Sequence, residues 1–202
     1  MQSRIMRAAG LVLVTCGLTV SSASASELLP NPGFDDLGSG NLGEGWGSFG
    51  AAGFNDFFGG NPHASLFSDN PGNFGGVFHT GIAGIAGQEY QFDLVDVRIE
   101  ENTDANYRFG LEYFLGDDST QISNDLVSID LSTTGDGLSF SMTSTAPANT
   151  VFVRPIILFD NVVSTANGQE NVFVFTASLT AVPEPASLAL LATGILVLVR
   201  RR

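Results

Sequence analysis

From Tyr107 to Leu115, Tyr107, Phe109, Leu111, Tyr113 and Leu115 alternate with Arg108, Gly110, Glu112 and Phe114. A period of two sends alternate side chains to opposite faces of an extended strand, so one face can be buried. Val127, Ile129 and Leu131 alternate likewise with Ser128 and Asp130, and Leu138, Phe140 and Met142 with Ser139, Ser141 and Thr143. Gln88 to Ile99, Thr150 to Phe159 and Val172 to Val182 are further extended runs. Pro155 has no N–H for a ladder, which assigns its run to a sheet edge or a bulge. Shorter strands are expected near Leu28, from Trp46 to Ala51, at His63 to Phe67 and at Phe74 to Thr80. Turns are expected at Asp69 to Asn73 and at Gly116-Asp117-Asp118-Ser119. No stretch between residues 26 and 181 carries a helical period. The pattern predicts an all-β chain: a single, jelly-roll-like β-sandwich of about eight to ten short strands.

The ends differ from this middle. Arg4 and Arg7 precede an apolar run from Ala8 to Val20, and Ser21 to Ser26 turns small and polar. Ala23-Ser24-Ala25 supplies the small-x-small pattern of a signal-peptidase site, so cleavage is expected between Ala25 and Ser26. The run is shorter than the roughly 20 apolar residues of a permanent span. Cys16, the sole cysteine, lies inside this leader; the mature chain would have no disulfide, cysteine metal site or thiol nucleophile. The expected organisation is a signal peptide at 1–25, a β-sandwich domain at 26–181 and a tail at 182–202.

Between Ser26 and Ala181 three arginines (Arg98, Arg108 and Arg154) stand against twenty carboxylates, a formal charge of −17, and the chain has no lysine. Such a surface repels nucleic acid and anionic membranes and attracts divalent cations. The 16 phenylalanines all follow the leader, which argues for a packed core despite the charge and the glycine.

After Thr180, Ala181-Val182 leads into Pro183-Glu184-Pro185, then an uncharged run from Ala186 to Val199, then Arg200, Arg201 and Arg202. That run of 14 residues makes a helix of roughly 21 Å at 1.5 Å per residue. A hydrocarbon core is about 30 Å thick, so the span is marginal. The arginines would keep their end in the cytoplasm. Motif, apolar helix and basic cap in this order resemble the PEP-CTERM sorting tail, which is read by the membrane protease-transpeptidase exosortase. The resemblance implies that Pro183, Glu184 and Pro185 are the recognition motif and Arg200 to Arg202 the membrane cap. It implies transient inner-membrane anchoring, then release or transfer to the cell surface or an exopolysaccharide (biofilm) matrix.

The opening Leu28-Leu29-Pro30-Asn31-Pro32-Gly33-Phe34-Asp35, with Trp46 soon after, resembles carbohydrate-binding modules of the galactose-binding-like jelly-roll superfamily. That resemblance implies glycan contact and a structural calcium near the N-terminal strand. The superfamily often closes on an Asp-Asp or Asp-Asn pair, where this chain has Asn171-Val172-Phe173-Val174-Phe175-Thr176.

Several side chains could carry chemistry. Trp46 is the aromatic most suited to stack on a sugar ring if exposed; otherwise it and the nearby phenylalanines fill the core of a glycine-rich region. Glu27, Asp35 and Asp36, or Asp117 and Asp118, could supply oxygens to calcium, although adjacent aspartates in loops commonly serve as turn residues. Calcium is the one cofactor the sequence suggests. His63 and His79 have no Gly-x-Ser-x-Gly or His-Glu-x-x-His context and read as packing or surface histidines. The expected function is that of a non-catalytic exported surface or matrix protein that contacts glycans. Its rivals are a structural or adhesive protein without glycan binding and a secreted polysaccharide hydrolase. Expected partners are signal peptidase, an exosortase-type enzyme and extracellular polysaccharide.

Overall fold

In the computed structural model, residues 25–35, 45–55, 60–67, 70–99, 105–116, 119–130, 135–162 and 171–183 are described. They form eleven strands: β1 (Trp46–Gly50), β2 (Ala52–Asn55), β3 (His63–Phe67), β4 (Gly75–His79), β5 (Ile82–Ala83), β6 (Glu89–Ile99), β7 (Asn106–Phe114), β8 (Gln121–Ser128), β9 (Gly135–Thr145), β10 (Phe152–Asp160) and β11 (Asn171–Ala181). Two antiparallel sheets result. The first runs β1-β4-β10-β7-β8, with β5 also paired to β10; the second runs β2-β3-β11-β6-β9. The all-β sandwich expected from the period-two runs is what the chain forms.

Alternation explains which sheet faces meet. Tyr107, Phe109, Leu111 and Tyr113 of β7 are buried, as are Tyr90, Phe92 and Leu94 of β6. Phe92 and Phe109 touch between the layers with ring centroids 5.8 Å apart, and Tyr107 stacks on Phe159 at 5.5 Å. The complementary set on β7, Arg108, Gly110, Glu112 and Phe114, looks away from this core and forms the outer face of the first sheet.

At two points the strands lie elsewhere than the sequence suggests. β10 is not an edge strand: it lies between β4 and β7, and Pro155 sits opposite Leu111. On its other side β5 pairs with Phe152 and Val153, and β4 pairs with Ile156 through Phe159. Arg154 and Pro155 fall in the handover between these partners, where a residue without an N–H costs the ladder nothing. The alternation at Val127 to Leu131 likewise marks the end of a strand rather than its centre. β8 stops at Ser128, and Val127 is exposed because β8 is an edge, held through its backbone to β7. Ile129 is buried just past the strand, its N–H donating to the Tyr107 carbonyl at 2.9 Å.

The N-terminal segment is tied to β11. Leu28 N–H donates to the Leu179 carbonyl at 2.8 Å, and Ala177 N–H to the Pro32 carbonyl at 2.8 Å. The last described residues are pinned as well: Val182 N–H donates to Glu89 O at 2.9 Å, and Gln88 Nε2 to Val182 O at 2.7 Å. Among the described residues no helix is long and apolar enough to cross a membrane. The leader around Ala23 and the tail from Glu184 to Arg202 lie outside the described residues.

Candidate functional site

The outer face of the first sheet carries a row of aromatic rings laid on glycine. Phe78 of β4 pairs with Gly47 of β1, and Phe49 of β1 pairs with Gly76 of β4. A Cβ at Gly47 would sit 2.8 Å from Phe78 Cζ, and one at Gly76 would sit 2.8 Å from Phe49 Cζ. Glycine at these two positions lets each ring lie against the opposite strand. Phe49 lies 6.5 Å from Phe74 and 6.3 Å from Phe78 between ring centroids. Phe74 is 60% exposed and Phe49 36%, so the outer end of the row faces water. Apolar surface gathered in one place on a soluble domain is where ligands or partners are expected to meet it.

The row continues into polar groups. Arg154 of β10 sets its guanidinium 5.1 Å from the Phe78 ring centroid and 4.4 Å from that of Phe114. Its Nε donates to Glu112 Oε2 at 2.7 Å, and Gln121 Nε2 donates to Glu112 Oε1 at 3.4 Å. Arg108, on the same face, pairs with Asp160. Two of the three arginines in a strongly anionic domain are thus gathered on one sheet face, each held by a carboxylate. The arrangement offers flat apolar surface beside planar donors and acceptors. Sequence reading missed it because Phe49, Phe78, Phe114 and Arg154 are brought together only by strand order.

Trp46 belongs to the core instead. It is 2% exposed, its Nε1–H donates to the Asn31 carbonyl at 3.1 Å, and its ring lies 5.0 Å from Phe34. A ring so enclosed has no open face for a sugar, and the core role of the two readings is the one its burial fits. The opening segment forms a turn around Asn31, whose Oδ1 accepts from Asp35 N–H at 2.9 Å and whose carbonyl accepts from Phe34 N–H at 3.4 Å. Phe34 takes a left-handed φ of 55° to bury its ring there.

Glu27 does not suit a calcium ion. Its Oε1 accepts from the amides of Leu28, Leu29 and Leu179 at 2.9, 2.8 and 3.0 Å, and its Oε2 accepts from Ser178 Oγ at 2.5 Å. Four donors converge on this carboxylate, so a cation beside it would face N–H and O–H groups. Asp35 is exposed, while Asp36, Asp117 and Asp118 lie outside the described residues. Among the described residues no three His, Cys, Asp or Glu side chains are placed to hold a metal.

Both histidines are buried against aromatic rings. His63 Nδ1–H donates to the Asn61 carbonyl at 2.8 Å, and its ring lies 5.3 Å from Phe173 and 5.1 Å from Phe175. His79 meets the Trp46 ring edge-on at 5.4 Å, and its Nδ1 accepts from Gly81 N–H at 3.3 Å. Burial pushes the His79 imidazole below its ordinary value. At the edge shared by β8 and β9, Tyr113 Oη donates to Ser144 Oγ at 2.5 Å and Ser144 Oγ donates to Asp125, bridging the two sheets. Burial, the largest effect on it, pushes the Tyr113 phenol up to about 12.

Residues 181–202 match the PEP-CTERM protein-sorting motif. The chain carries a PEP-CTERM sorting tail. This tail marks an exported protein that is sorted and anchored at the membrane. No curated protein sequence matches the chain.

Solved structures share the architecture of the domain. The enzymatically active domain of tailspike protein 4 from bacteriophage CBA120 is similar with a TM-score of 0.56 at 8% identity, over 77% of this chain and 21% of that one. TmCBM61, solved in complex with β-1,4-galactotriose, is similar with a TM-score of 0.52 at 14% identity, over 78% of this chain and 99% of that one. A Stig cyclase from Fischerella sp. TAU is similar with a TM-score of 0.54 at 14% identity, over 80% of this chain and 100% of that one. A phage enzyme, a carbohydrate-binding module and a cyclase on one scaffold show that the likeness establishes the fold alone.

Proposed function

We propose that this PEP-CTERM protein is a non-catalytic, exported glycan-binding protein of the cell surface or extracellular matrix. The observation that carries the reading is the row Phe74–Phe49–Phe78–Arg154 on the outer face of the first sheet, with Arg154 seated on the buried Phe114 ring. The C–H faces of a pyranose pack on aromatic rings, while its hydroxyls suit a guanidinium and a carboxylate already held in place. A row rather than a pit suits several successive rings of a chain. Its carboxylate, Glu112, is engaged by Arg154 and Gln121, which suits holding a ligand better than transferring a proton to it. The galactotriose bound by TmCBM61, whose fold is similar over nearly its whole length, makes a neutral β-linked oligosaccharide the first ligand to try. Signal peptidase would remove the leader after Ala25, and an exosortase-type enzyme would act at Pro183-Glu184-Pro185.

The test is binding of the full chain, in mild detergent, to a glycan array and to the host's own exopolysaccharide. Phe49→Ala together with Phe74→Ala should weaken binding at least about tenfold, since each stacked ring contributes on the order of 1 kcal/mol. Both rings are partly or largely exposed, so the melting temperature should move little. Binding to no glycan, or unchanged binding by the double variant, would overturn the reading and favour an adhesive protein that works through sheet edges. Cleavage of the polysaccharide would point to the hydrolase.

A further inference from the structure

The opposite face of the sandwich holds a separate cavity. Among the described residues, Asn61 just before β3, Asp96 and Arg98 of β6, Asp136 of β9 and Phe175 of β11 line a space of about 210 Å³. Pockets for drug-sized ligands run from roughly 300 to 1,000 Å³, so this one suits a single ring. Its shape follows from a break in register. Pairing of β6 with β9 slips between Leu94 and Val97, and Asp96 within the slip has a left-handed φ of 57°. Val95 and Asp96 are consequently both exposed, although they are neighbours in a strand. Bulges re-aim side chains in this way.

The walls are held from behind. His63 fixes Asn61 through its carbonyl and packs against Phe175 at 5.1 Å. Arg98 Nε lies 3.2 Å from Asp136 Oδ1. Asp96 takes no hydrogen bond or ion pair among the described residues. Among the described residues the lining has one apolar wall, one guanidinium, one amide and two carboxylates, which together carry a formal charge of −1. Arg98 is the remaining arginine of the domain, so each of the three lies on one or the other outer face.

We propose that this cavity is a second sugar site, for one hexose ring that carries a free amine. Phe175 would take the ring's C–H face, Asn61 and the Arg98–Asp136 pair its hydroxyls, and Asp96 its ammonium group. The excess carboxylate repels uronates and other acidic sugars. With the aromatic row on the first sheet, the domain would hold two glycan segments on opposite faces and so link chains within a matrix. That linking role rests on the function proposed above; the cavity itself does not.

The test is a titration of the ¹⁵N-labelled full chain in mild detergent with D-glucosamine, D-glucose and D-glucuronate, followed by amide shifts. Glucosamine should move the amides of Asp96, Arg98, Asp136 and Phe175 and saturate at roughly millimolar concentration. Glucose should bind at least about fivefold more weakly, and glucuronate should leave these amides unmoved. Asp96→Asn keeps the left-handed backbone, which asparagine tolerates, and should weaken glucosamine binding at least about tenfold. The Phe49→Ala, Phe74→Ala chain should titrate like wild type, so failure of the aromatic row and failure of this cavity are read separately. No saturable shift, equal shifts from glucose or glucuronate, or an unchanged Asp96→Asn titration would overturn the proposal.

Discussion

The guanidinium of Arg154 lies 4.4 Å from the centre of the Phe114 ring while its Nε donates to Glu112 at 2.7 Å. The arginine is thus fixed from two directions: a cation over a ring and a charge-assisted hydrogen bond. Glu112 is nearly buried, so losing its donor leaves a carboxylate poorly solvated. Arg154→Ala should cost about 2 kcal/mol by urea unfolding, on the scale of a charged hydrogen bond. Arg154→Lys should recover part of the stability but little glycan affinity, because an ammonium cannot present the planar fork. Equal glycan affinity in the lysine variant would remove Arg154 from the ligand-contacting set.

An alkaline transition should report Tyr113. Its phenol rises from 10.0 in the unfolded chain to about 12 in the fold, through burial in the core and despite its bond to Ser144. The unfolded chain therefore releases this proton first as pH rises. The stabilisation is whole below pH 10 and is lost between pH 10 and about 12. Tyr113→Phe should be less stable than wild type near neutrality, having lost the Ser144 bond, yet fall less steeply across that window. Parallel curves for the two proteins would show that Tyr113 does not set the alkaline limb.

His79 gives the opposite limb. It is 3% exposed and its imidazole titrates below the ordinary 6.5, driven by burial. Protonation then favours the unfolded chain. Its contribution is whole above pH 6.5 and is lost as pH falls from 6.5 toward the lowered value in the fold. Because His79 packs on Trp46 and pairs with it across β1 and β4, the first loosening should appear in tryptophan fluorescence. His79→Leu should show a smaller change in unfolding midpoint between pH 7 and pH 5 than wild type. An equal change would assign the acid sensitivity to other groups.

The periods along the chain gave away the layers but not their neighbours. Tyr107, Phe109, Leu111 and Tyr113 could be recognised as one buried face because alternation is a local signal. Pairing is not local: nothing near Pro155 reveals that two strands meet there, which is why a central strand reads as an edge or a bulge. The same limit hid both candidate sites. Phe49 meets Gly76 and Arg154 meets Phe114 across gaps of many residues, and the cavity at Asp96 depends on a register slip against β9. Trp46 suits either a sugar platform or the core by residue type alone, and burial, with a backbone acceptor for its indole N–H inside, decides for the core. The sorting motif at the C terminus was legible because it is linear.

That address yields the sharpest cellular test. β11 is pinned through Val182, so the Pro183-Glu184-Pro185 motif begins directly where the ladder ends. Beyond it, an uncharged run of 14 residues would reach only roughly 21 Å if helical, short of a core about 30 Å thick. Arg200 to Arg202 resist crossing to the outside. A span too short to rest in the bilayer, yet capped against slipping out, suits temporary retention until the motif is processed. Replacing Pro183, Glu184 and Pro185 with alanine leaves the apolar run intact, so uncut protein should accumulate in the inner membrane. Replacing the three arginines with serine should instead weaken retention and send unprocessed protein outward. The measurement is fractionation with mass spectrometry of the C terminus, in a host that has an exosortase. Wild-type protein that keeps Arg202 and stays in the inner membrane there would make the tail an ordinary anchor.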